Sequence, residues 1–218
     1  MGEVRFYAIG ITEMRGIVGA PDETAEHLRE IARQAFRREP EHARAGLLGK
    51  LGPIFRRVPA APVVLATDPE PRDVEVLLAG GYVPPDRTGA TWRVLETLVA
   101  GIAWGSTRMA LTDQGLDDLD FALARGGVSS FVGLRHLLGT TTSMPLVPVH
   151  GLDVGWHHYE QALAMAGAYR SALGQVEDEG QRAMVAALAT WLDGFVPWAA
   201  VSGSLGRPVP DLVAFWAH

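Results

Sequence analysis

Three of the chain's seven histidines and two of its carboxylates fall within eleven residues, His150-Gly-Leu-Asp153-Val-Gly-Trp156-His157-His158-Tyr159-Glu160. An imidazole and a carboxylate within reach of each other form a titratable pair near neutral pH, the raw material of general acid–base chemistry. With a helix starting at Trp156, His157 and Glu160 stand three residues apart on one face, and Glu160 can orient His157 as a base. His157 and His158 are then ~100° apart and cannot both point inward. His150 and Asp153 sit on the loop before that helix, beside free backbone N–H groups and the positive end of its dipole. The expected site therefore takes His157, Glu160 and Asp153 as its reacting groups. His150, Trp156 and Tyr159 are its ligand-binding groups, with the two aromatics as an apolar wall. His150, Asp153 and His157 could together hold a metal, but their spacing matches no motif such as His-Glu-x-x-His. The expectation is a site with no metal and no cofactor.

Other clusters read as structure. Asp113, Asp117, Asp118 and Asp120 lack the alternating ligands, glycine and distal glutamate of a calcium loop, and read as a solvated helix start. Ser202-Gly-Ser-Leu-Gly206 is not Gly-x-Ser-x-Gly and follows a helix, so it is no nucleophile elbow. Gly46, Gly49 and Gly52 follow no strand and end in no Gly-Lys-Ser/Thr, which excludes a phosphate loop. The chain has no cysteine, which excludes disulfides, a thiol nucleophile and iron–sulfur clusters.

The elements that must position these residues follow from hydrophobic period. Val4–Ile9 reads as an opening strand, and Leu212–Trp216 as a closing one. Helices are expected after Pro21, with Leu28, Ile31, Ala32, Ala35 and Phe36 on one stripe, and over 41–51. Further helices are expected over 73–78, and over 88–104 with Trp92, Leu95, Val99 and Ile102 inward. Ser106–Leu111 reads as a strand, 115–124 and 129–138 as helices, and 140–154 as irregular chain. Helices over 156–173 and 181–195 complete the pattern, the second bent or ended by Pro197. Four prolines in residues 58–72 make that stretch a loop. The expected fold is α+β: one helix-dominated domain, residues 1–218, with a small sheet joining the N- and C-terminal strands.

A chain of 218 residues with 48% hydrophobic and 20% charged residues can bury its own core. Its net charge is −6, and residues 111–218 supply the whole excess with 5 basic and 11 acidic groups. That balance disfavours nucleic acid as a partner. The arginines between Arg29 and Arg57 read as a solvated helical face. No run reaches ~18 consecutive apolar residues, and the N-terminus lacks the basic and apolar regions of a signal peptide. The expectation is a cytoplasmic protein with no membrane partner.

Four passages carry a resemblance: the opening Phe6-Tyr7-Ala8-Ile9…Met14-Arg15-Gly16-Ile17-Val18-Gly19, the helix around Trp92–Trp104, the segment Pro145-Leu-Val-Pro148…Val154-Gly155-Trp156, and the ending Leu212-Val-Ala-Phe215. On these the chain resembles a family of uncharacterised bacterial proteins of high-GC actinobacteria. It is similar in broad layout to small α+β proteins of the YfbM-like kind. The resemblance implies no reaction and no site. Without a catalytic motif, the expected function is a binding or interaction module, of accessory or immunity type, with a protein or small-molecule ligand. The alternative is a small cofactor-independent enzyme, a hydrolase or biosynthetic tailoring enzyme, that works through the 150–160 segment.

Overall fold

The computed structural model describes residues 2–37 and 68–218. The helix expected over 41–51 and most of the loop expected over 58–72 lie outside the described residues. Four antiparallel strands, β1 (Glu3–Ile9), β2 (Gly105–Ala110), β3 (Leu152–His157) and β4 (Asp211–Ala217), form one sheet in the order β2-β1-β4-β3. The two terminal strands pair at its centre, from Glu3 opposite Ala217 to Ile9 opposite Asp211. This is the expected α+β arrangement.

Helices cover both faces of the sheet. On one lie α1 (Ile11–Arg15), α2 (Asp22–Ala35), α3 (Pro71–Leu78) and α4 (Thr88–Ile102). On the other lie α5 (Asp113–Arg125), α6 (Leu134–Gly139), α7 (Tyr159–Ala172), α8 (Glu179–Leu192) and α9 (Phe195–Ser202). Strand alternation gives Tyr7, Ile9, Val213 and Phe215 to the first face, and Phe6, Ala8, Ala214 and Trp216 to the second. A strand buried on both sides must be apolar throughout, which accounts for the unbroken run Leu212–Trp216.

Asp211 ties the sheet to both layers. Its carboxylate accepts from the backbone N–H of Ile11 (2.8 Å) and of Tyr159 (3.3 Å), so it holds the starts of α1 and α7 together. Asp120 does the same for α6, accepting from the N–H groups of Leu134 and Arg135, both at 2.8 Å. The acidic start of α5 is therefore partly structural: Asp113 and Asp117 pair with Arg135.

The helix expected to start at Trp156 starts at Tyr159 instead, and residues 152–157 are an edge strand. Close approach is the cause. A Cβ at Gly155 would stand 1.8 Å from the Leu137 carbonyl oxygen, so α6 lies directly on β3 only because residue 155 is glycine. Pro197 neither bends nor ends a helix. It sits in the first turn of α9, where its missing N–H has no partner to lose. The run Glu179–Leu205 is long and apolar enough to cross a membrane by length and composition, with mean hydropathy 1.4. Asp193 and Gly194 interrupt it, and α8 buries Val185, Leu188, Ala189 and Leu192 in the core.

Candidate functional site

The 150–160 segment is split by the sheet it belongs to. Leu152, Val154 and Trp156 pack on the α1–α4 side, while His157 is buried on the other side. His157 is 1% exposed, and neither ring nitrogen has a hydrogen-bond partner. Glu160 is exposed in the first turn of α7 and does not orient it. The ring of His136 lies 5.4 Å from that of His157. Burial, together with His136 and His158, lowers the His157 pKa to about 4. His157 is thus a buried, neutral imidazole beside the ring of His136. Asp153 is exposed, with its carboxylate 3.3 Å from His218. Tyr159 packs half-buried on the α5–α9 core. The Trp156 indole donates to the Thr141 carbonyl (2.8 Å) and lies edge-on to His158.

His150 alone among the six expected residues lines a cavity described here. Gly151, with φ +79, turns the chain there into β3, and its carbonyl accepts from the His218 N–H at 3.0 Å. This turn forms one wall of a cavity of about 540 Å³ between α4 and the sheet edge. Arg5 and Glu96 supply charge, and Trp92, Val149 and Leu152 supply apolar surface. Trp92 is fixed by its indole N–H, which donates to the Val147 carbonyl (2.9 Å), and by edge contact with Phe215.

Glu96 is 7% exposed on the inner face of α4. A buried carboxylate needs partners, and Glu96 has two from β1. The Tyr7 hydroxyl donates to its Oε1 at 3.0 Å. Arg5 Nε lies 2.9 Å from the same oxygen. The Arg5 N–H does not point at it, so this contact is an ion pair without a hydrogen bond, and that N–H stays buried without an acceptor. Burial raises the Glu96 pKa, against the opposing pull of Arg5 and Tyr7. The Tyr7 hydroxyl is pushed up by burial and by Glu96 itself. The cluster can bind a polar group or hold a proton at Glu96.

Sequence reasoning missed this cluster although its signal was present. Glu96 follows Trp92 by four residues and precedes Val99 by three, so a carboxylate stands in the apolar stripe of α4. Arg5 and Tyr7 alternate with Val4 and Phe6 on a strand buried on both faces. A larger depression of about 1030 Å³ lies between α2 and α3. Among its charged residues, Glu26, Arg29, Arg33 and Glu75 pair with one another at the surface, and Glu70 pairs with Arg87. Among the described residues no three His, Asp or Glu side chains group as metal ligands.

No match was found among curated proteins or among solved structures. Residues 1–217 match one family in full, so the chain belongs to DUF7691, a domain of unknown function.

Proposed function

We propose that this protein is a binding module whose ligand is a small molecule held in the cavity between α4 and the 149–152 turn. The observation that carries the reading is the buried Tyr7–Glu96–Arg5 cluster on the wall of a 540 Å³ space. That volume suits a small organic ligand, and ligand sites combine apolar walls with a few convergent polar groups. His150 belongs to the site in this reading. His157, Asp153 and Glu160 lie outside it and serve the fold or the surface.

One observation favours a second reading, a small cofactor-independent enzyme. A carboxyl with a raised pKa beside a cavity is suited to carry a proton, and Glu96 would be that group.

Gly89 offers the test. It lines the cavity in the first turn of α4, and a Cβ there meets nothing within 4 Å. Gly89→Leu should fill space without disturbing the fold. A fragment screen by thermal shift should yield ligands that stabilise the wild type. The Gly89→Leu protein should keep its melting temperature and lose those shifts. Fragments that stabilise both proteins equally, or no stabilising fragment at all, would contradict the reading.

A further inference from the structure

We infer that the cavity selects a small organic acid, one carboxylate on an apolar or aromatic body. The inference rests on the cavity being a ligand site and names the ligand's class. Charge decides first. Two guanidiniums, Arg5 and Arg93, line the space with the carboxylate of Glu96, and the outer carboxylates of Glu3 (3.7 Å from Arg5) and Asp68 (3.8 Å from Arg93) lie outside its lining. Glu96 is already served: its Oε1 takes the Tyr7 hydroxyl and faces Arg5. A ligand cation would therefore compete for an acceptor in use and sit beside two guanidiniums.

An anion meets the opposite situation. Arg5 spends its Nε contact on Glu96 without a hydrogen bond, and a guanidinium has five N–H donors. The Arg5 side chain is 33% exposed although Nε is buried, so its exposed surface lies elsewhere on the side chain. A planar guanidinium matches a carboxylate in two-point geometry. The remaining walls, Trp92, Val149 and Leu152, offer no charge and suit a hydrocarbon or ring. Trp92 is held in place by Val147, so it meets the ligand as a preformed surface.

Three probes share one body and differ in charge: phenylacetate, phenylacetamide and phenethylamine. Calorimetric titration of the full chain at pH 7 should rank them acid, amide, amine. The acid should bind about tenfold or more tighter than the amide, the worth of a charge-assisted contact. Arg5→Gln should bring acid and amide to equal affinity. Should that variant not fold, Arg93→Gln, at an exposed position, should still lower acid binding while leaving the amide unchanged. Equal binding of acid and amide, or tightest binding by the amine, would overturn the acid preference and leave the cavity reading intact. Failure of all three probes would also overturn it; the Gly89→Leu screen then decides separately whether the cavity binds anything.

Discussion

The two faces of the sheet bury polar groups in opposite ways. On the α1–α4 face, Tyr7 and Glu96 satisfy each other beside a cavity, and the Arg5 Nε–H next to them is buried without an acceptor. On the α5–α9 face, the Tyr169 hydroxyl, the Trp216 indole N–H and both nitrogens of His157 are buried without partners. Both faces thus carry a desolvation cost, but only on the α1–α4 face does the cost fall beside a cavity described here. A polar group with partners and adjacent space can meet a ligand, whereas one sealed among apolar side chains only carries a desolvation cost. The pair His157 and Glu160 looks reactive in the sequence, yet His157 is sealed in the fold and Glu160 faces solvent. Glu96, which looks like an interruption of a core stripe, lies beside the space.

The largest expected effect breaks the packing that divides the faces. Gly155→Ala places a methyl group against the Leu137 carbonyl, so α6 must leave β3. A loss of about 3 kcal/mol or more is expected, read from urea denaturation. An unchanged midpoint would mean that α6 does not rest on β3 as described.

His157 should give the sealed face a pH dependence. Its folded pKa, about 4, lies below the unfolded value of 6.5, so between these values the unfolded chain binds more protons. Stability contributed by a neutral His157 is present above pH 6.5 and is lost as pH falls toward 4. The full loss amounts to about 3 kcal/mol. His157→Leu should lose less stability than the wild type between pH 7 and pH 4.5, measured by chemical denaturation. Parallel curves for the two proteins would contradict the assignment.

A matched pair of smaller changes sharpens the comparison. Tyr7→Phe removes a hydroxyl that Glu96 uses and should cost about 1 kcal/mol. Tyr169→Phe removes a hydroxyl with no partner and should cost nothing or stabilise by up to about 1 kcal/mol. Thermal unfolding of both variants checks the contrast, and equal losses would erase it.

Much of the fold was legible because period and position agreed. Val4–Ile9 and Leu212–Trp216 are apolar and terminal, and they pair with each other. The stripe of Trp92, Leu95 and Val99 defined α4. The strand β3 was not legible because Leu152, Val154 and Trp156 alternate over only six residues, and Gly155 and the flanking prolines look like loop. A period of two that short is overridden by the helical pattern that follows from Tyr159. Once Trp156 and His157 moved from helix to strand, they faced opposite layers, and the expected His–Glu face disappeared. The candidate site draws on β1, α4 and the 149–152 turn, far apart in sequence, so local spacing could point to His150 but could not join it to Arg5 and Glu96.

The indole N–H resonance of Trp92 reports on the cavity most directly, since its ring forms a wall and its donor is fixed on Val147. Titrating a fragment that stabilises the wild type into the labelled protein should shift that resonance in the wild type and leave it unmoved in Gly89→Leu. A Trp92 signal that stays still in the wild type, or moves equally in both proteins, would contradict a ligand site at this cavity.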